Sequence, residues 1–91
     1  MADEVRLWLV ERTFSDDEQN LIILIYATTD GRFYHRKERA LPSFSGPARD
    51  TTASITAPKK QLGAVSDPDR RDRYAKEATR MASEHEPGDP I

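Results

Sequence analysis

The sequence predicts an α+β domain, an antiparallel β-meander of three or four strands with one C-terminal α-helix packed on the sheet. Three observations carry this expectation. Two apolar, β-branched runs near the N-terminus lead into an Asp30-Gly31 turn and a third extended segment. One stretch in the last third repeats its apolar residues at helical period between a capping residue and a Pro-Gly stop. With 91 residues, 36% of them hydrophobic, the chain can bury one thin core and is too short for two full domains.

The first strand is read over 5–13. Val5, Leu7 and Leu9 alternate onto one face, and Trp8 and Val10 fall on the other, so both sides need cover. Ser15 to Asn20 is a polar turn, with Ser15 and Glu18 spaced as a capping box. The second strand, 21–29, is apolar on both faces, the pattern of an interior strand. Asp30-Gly31 suits a two-residue hairpin turn, because glycine accepts positive φ without a steric cost. That turn sets Thr29 opposite Arg32, Ala27 opposite Tyr34 and Tyr26 opposite His35. The third strand, 32–39, is charged and reads as an edge.

Pro42, Gly46 and Pro47 break the pattern over 40–50, where Leu41 and Phe44 are candidate anchors. Residues 51–57 recover alternation through Ala53, Ile55 and Ala57 and form a possible fourth strand ended by Pro58; 59–65 is a loop anchored by Leu62 and Val65. The helix is read over 67–85. Asp67 is its N-cap, Pro68 occupies the first helical position, and Tyr74, Ala75, Ala78, Met81 and Ala82 form the apolar stripe. Asp69–Arg73, Asp72–Lys76 and Arg80–Glu84 are spaced as ion pairs on its wetter side. Pro87 and Gly88 end it. The domain is thus 1–85, with 86–91 a disordered tail.

One alanine-rich helix covers one face of a sheet that has two apolar faces. The sequence divides these as Val5, Leu7, Leu9, Ile23 and Ile25 on one side and Trp8, Val10, Ile22, Leu24 and Tyr26 on the other. The polar 40–65 segment is a poor lid. A face left bare would be an interaction surface, which makes a homodimer the expected assembly and Trp8, Val10, Ile22, Leu24 and Tyr26 its candidate contacts.

Composition excludes several kinds of chemistry. Without cysteine there is no disulfide, thiolate metal site, iron–sulfur cluster or cysteine nucleophile. Asp3 and Glu4 stand where a secretory leader carries positive charge, and the longest apolar run is far too short to cross a bilayer, so a cytoplasmic protein is expected. The balance of 14 Lys plus Arg against 16 Asp plus Glu gives a formal net charge of -2, which does not suit a general polyanion binder. The four glycines are scattered and form no phosphate loop.

The remaining chemistry-bearing clusters each have a bland alternative. Arg32, Tyr34, Arg36 and Lys37, with Lys59 and Lys60 as outlying cations, could pair phosphates and stack bases, or simply keep an edge strand soluble. Asp16, Asp17, Glu18 and Asn20 lack the spacing and central glycine of a calcium loop. His35 and His85 have no ligand spacing, and His85 suits a helix C-terminus. Glu11 continues the Leu7 and Leu9 alternation and is read as partly buried or paired with Arg36. The helix basics Arg70, Arg71, Arg73, Lys76 and Arg80 are interleaved with acids, the pattern of a solvated face. No catalytic, cofactor-binding or metal-binding residue is assigned.

The stretches Leu7-Trp8-Leu9-Val10-Glu11-Arg12, Asp16-Asp17-Glu18-Gln19-Asn20-Leu21-Ile22-Ile23, Arg36-Lys37-Glu38-Arg39-Ala40-Leu41 and Arg73-Tyr74-Ala75-Lys76-Glu77-Ala78-Thr79-Arg80-Met81-Ala82 resemble a family of short uncharacterised proteins from halophilic archaea. The likeness spans most of 3–85. It implies a cytoplasm of molar salt, in which exposed ion pairs and phosphate contacts are screened, and it brings no activity or site residue with it. The expected function is therefore a non-enzymatic protein-interaction module that self-associates through a sheet face or edge. The alternative is nucleic-acid binding through the basic-aromatic strand 32–39.

Overall fold

The structure is a computed structural model that describes residues 4–15, 21–40 and 51–91. The acidic cluster at 16–20 and the anchors Leu41 and Phe44 lie outside the described residues. Five strands form one antiparallel sheet: β1 (Glu4–Ser15), β2 (Leu21–Ala27), β3 (Phe33–Ala40), β4 (Ser54–Pro58) and β5 (Gly63–Ala64). Their order is β4-β1-β2-β3-β5, which puts β2 in the centre as its apolar composition demands. Among the described residues one α-helix, α1 (Pro68–Glu84), packs across β1 and reaches β2.

The expectation of three or four strands is corrected to five. The 51–57 segment does pair, as β4 against β1, and Pro58 is its last residue, opposite Glu4. The 59–65 segment is more than a loop: Lys59–Gln61 makes a 3-10 turn, and Gly63 and Ala64 pair with Tyr34 and Phe33. Two residues are too few to show a period.

The β2–β3 hairpin keeps the expected register, with Tyr26 opposite His35 and Ala27 opposite Tyr34. Its turn is wider than expected. The Thr28 N–H donates to the Phe33 carbonyl (3.1 Å), and the Gly31 N–H donates to the Thr28 carbonyl (2.9 Å), so the turn inside this last bonded pair runs from Thr29 to Arg32. The Asp30 carboxylate closes the turn, accepting from the Thr28 hydroxyl (2.6 Å) and the Arg32 N–H (3.0 Å). Gly31 has φ +73°, and it abuts the helix: a Cβ there would lie 2.1 Å from the Arg71 carbonyl oxygen.

Sheet faces differ from the expected division because β1 carries a bulge. Pairing runs Trp8 to Ala27 and Leu9 to Tyr26, then resumes as Glu11 to Ile25, leaving Val10 without a cross-strand partner. Leu7 and Leu9 consequently share a face with Leu24 and Tyr26, whereas Trp8 and Val10 share the helix-covered face with Ile25 and Ala27. The 16–20 connection carries no turn signal that fixes β1 against β2, and a slip of one residue exchanges faces.

Both faces are buried within one chain. Leu7 and Leu24 are fully buried, Tyr26 is 1% exposed and Leu9 6%, while on the helix side Trp8 and Ala27 are covered along with Tyr74, Ala78 and Met81 of α1. Among the described residues, Ile91 is the one large hydrophobic classed as exposed. The bare apolar face expected from the sequence is therefore not found.

Asp67 caps α1 by accepting from the Asp69 N–H (3.3 Å), and Arg71 Nε donates to the Val65 carbonyl, tying the helix to the strand before it. Lys76 pairs with Asp72 (3.1 Å) and Arg80 with Glu84 (2.7 Å), while Arg73 turns to Glu11 (3.8 Å) instead of Asp69. The 86–91 segment, expected to fray, is bonded to the outer side of the β4 end of the sheet. Ala53 N–H donates to the Asp89 carbonyl (2.8 Å), Ser54 N–H to the Pro87 carbonyl (3.1 Å), and Ile91 N–H to the Thr51 carbonyl (2.7 Å). Edge backbone groups need partners, and a proline-rich segment supplies carbonyls without demanding many in return.

Candidate functional site

Two features remain once the core is accounted for: the outer edge of β3 and a cleft beside it. Antiparallel pairing alternates hydrogen-bonded and non-hydrogen-bonded residues. Since Thr28 bonds Phe33 across the hairpin, His35, Lys37 and Arg39 direct their backbone groups toward β2, and Tyr34, Arg36, Glu38 and Ala40 direct theirs outward. β5 satisfies Tyr34, opposite Gly63. Among the described residues nothing pairs the outward groups of Arg36, Glu38 and Ala40. The Arg36 guanidinium and Glu38 carboxylate, neighbours on the same face of β3, form an ion pair at 2.9 Å.

The cleft has a volume of about 360 Å³ and lies between the first two turns of α1 and the β2–β3–β5 surface. Ile25, Val65, Tyr34 and Tyr74 supply apolar and aromatic walls, and Arg36 and Arg70 supply the cations. Tyr34 is set against the Gly63 backbone so closely that a Cβ at 63 would lie 2.6 Å from its ring. Tyr74 donates its hydroxyl to Glu11 (3.1 Å), and the Arg73 guanidinium lies 5.6 Å from the Tyr74 ring centroid. Burial first, and then the Glu11 carboxylate, push the Tyr74 hydroxyl above its ordinary pKa.

Glu11 reaches Tyr74 because of the bulge. Strict alternation puts it with Leu7 and Leu9, but the extra residue at Val10 returns it to the helix side, where it meets Tyr74 and Arg73 rather than Arg36. It is exposed, so the expected partial burial is also corrected.

The structure separates the sequence-derived sets. Of Trp8, Val10, Ile22, Leu24 and Tyr26, the first two lie on the helix side and the last three on the opposite face, with Trp8, Leu24 and Tyr26 buried. Of the basic set, Tyr34 and Arg36 line the cleft, Arg32 is exposed at the turn, and Lys37 alternates onto the other face of β3. Lys59 sits over the Phe33 ring at 5.8 Å, with Lys60 beside it in the 3-10 turn. His35 stands opposite Tyr26, and His85 caps the helix C-terminus 3.9 Å from Asp89. Among the described residues no three His, Asp or Glu side chains are placed to hold a metal ion, and no helix is long and apolar enough to cross a membrane. Arg70 and Tyr74, read from the sequence as solvated surface and core stripe, are the cleft residues that sequence reasoning missed. Their closeness to the N-cap was the available signal.

A model described as a family of unknown function, DUF7967, matches residues 1–91. No curated protein and no solved structure matches the chain.

Proposed function

For this chain, which belongs to the DUF7967 family, we propose a non-enzymatic interaction module of the cytoplasm that self-associates through the outer edge of β3. The observation that carries this reading is the run of outward backbone groups from Arg36 to Ala40, unpaired among the described residues, while the β4 end of the sheet is bonded to 86–91. Unpaired edges are templates for a further strand. With both faces buried, the edge is the one of the two routes read from the sequence, face or edge, that this reading keeps.

Parity and charge favour one register. Outward-facing residues must meet outward-facing residues, so a two-fold antiparallel pair centred on Lys37 sets Arg36 of each copy against Glu38 of the other. Centring on Glu38 would oppose two carboxylates, which is unfavourable.

Sedimentation equilibrium at low and high salt tests the proposal. The wild-type chain should reach a dimer in both, because the backbone bonds carry the contact. Glu38→Pro removes an outward N–H and spares the β2 ladder, so it should give a folded monomer. A wild-type monomer at about 1 mM would overturn the reading, since even weak specific contacts reach that range.

A further inference from the structure

We infer that the cleft between the N-terminal turns of α1 and the β2–β3–β5 surface is a binding site for a small aromatic anion, with Arg70 and Arg36 holding the charge and Tyr34 and Tyr74 holding the ring. Ligand sites are concave, mainly apolar, largely preformed, and span roughly 300–1,000 Å³, with a few placed polar groups that fix orientation. This cleft, of about 360 Å³, falls in that size range, and its lining joins apolar and aromatic walls to a larger share of polar surface that includes two arginines.

Each wall is held in advance. The Tyr34 ring is braced by the Gly63 backbone, the Tyr74 hydroxyl is anchored on Glu11, and Val65 is fixed through the Arg71 bond to its carbonyl. Tyr34 is half-buried and Tyr74 almost wholly buried, so a ligand meets walls already ordered, which lowers the entropic cost of binding. The size suits one ring system with a short acidic arm.

The charges are distributed for an anion. Arg70 has no ion pair among the described residues, so its guanidinium is available to a carboxylate or phosphate in the forked geometry that arginine favours. Arg36 enters from the strand side, and its bond to Glu38 at 2.9 Å leaves it half exposed and able to turn. Asp67 also lines the cleft, but its carboxylate is engaged in capping the helix. Tyrosine rings and arginine planes stack on flat π-systems regardless of the exact base or ring.

This inference is separate from edge pairing, and Arg70, on the helix, distinguishes the two. Backbone and ring NMR spectra of the full chain would be followed during titration with adenosine 5′-monophosphate and with 4-hydroxyphenylacetate. Adenosine, phosphate and acetate serve as the corresponding half-probes. At least one aromatic anion should give saturable shifts at Tyr34, Val65, Ser66 and Tyr74, and bind roughly tenfold or more tightly than its own halves. Whichever of the two binds more tightly assigns the anion as a nucleotide phosphate or an aromatic carboxylate.

Arg70→Ala should weaken binding roughly tenfold or more, as expected for loss of a charge-assisted hydrogen bond. Arg70→Lys should recover part of it, and Ser66→Glu, at an exposed position on the cleft wall, should weaken it by charge repulsion. Lys76→Ala, exposed and outside the cleft, should bind as the wild type does. Absence of saturable shifts at about 10 mM of both aromatic anions, or equal binding by Arg70→Ala and the wild type, would overturn the inference.

Discussion

Replacing Gly31 by alanine should be the most damaging single-methyl addition in the described sheet. Two costs coincide there. At φ +73° an L-residue enters the left-handed region, which costs roughly 1–2 kcal/mol. The new Cβ would also sit 2.1 Å from the Arg71 carbonyl oxygen and 2.9 Å from the Ala75 nitrogen. Both are backbone atoms of α1, so no side chain can swing away, and the helix or the turn must shift. Overpacking of this kind adds roughly 1–3 kcal/mol, for a total of about 2–5 kcal/mol. Against a domain whose whole stability is about 5–14 kcal/mol by length, that is a large share. Urea unfolding followed by the fluorescence of Trp8, the single tryptophan and 7% exposed, would measure it. Gly31→Asn separates the two costs, since asparagine tolerates the left-handed region but carries the same Cβ. Both variants should lose stability, and asparagine should recover less than half of the alanine loss. If asparagine is neutral, the helix contact is not what holds Gly31 in place. If alanine costs under about 1 kcal/mol, neither cost operates as described.

Three further outcomes follow from named contacts. Ser54→Ala should cost about 1–2 kcal/mol in the same urea assay, because the buried hydroxyl donates to the Leu7 carbonyl (2.7 Å) and accepts from Arg6 (3.0 Å). Tyr74 has a raised folded-state pKa, so its contribution is present below the ordinary tyrosine value and is lost as pH rises through the folded value. Tyr74→Phe should accordingly narrow the stability difference between pH 7 and buffer above the ordinary tyrosine value, and an unchanged alkaline loss would contradict this. Asp30 is held below its usual pKa by the Thr28 hydroxyl first and the Arg32 N–H second, so its contribution is present above the unfolded value and lost as pH falls through the folded one. Asp30→Asn keeps an acceptor oxygen but loses the charge, so in a pH series of melting curves it should lie slightly below the wild type at neutral pH and converge with it as pH falls, flattening the acid limb.

The hairpin was legible because its signals are local. Gly31 allows the positive φ, and the apolar density of 21–28 marks an interior strand. The helix was legible for the same reason, with Asp67, Pro68 and the Tyr74–Ala82 stripe agreeing. What escaped depends on contacts distant in sequence. The β1–β2 register is set by tertiary packing, β5 is two residues long, and the pairing of 86–91 with 51–54 joins segments that carry no reciprocal pattern. Of the cleft, Tyr34 and Arg36 were visible as an alternating pair on one strand. That Arg70 and Tyr74 come to meet them is a consequence of how α1 crosses the sheet, which no local pattern encodes.

The unpaired residue Val10 makes β1 tolerant of losing one residue at that point. Excising it would leave Glu11 opposite Ile25 and Arg12 opposite Leu24 in a regular ladder, with the faces of β1 unchanged. What would be lost is the local bend of the bulge and the packing of Val10 against the Ala27, Val65 and Tyr74 cluster. Relatives should accordingly be able to lose this residue and keep the faces of β1, so that a missing codon here does less harm than one within the regular run from Glu11 to Ser15.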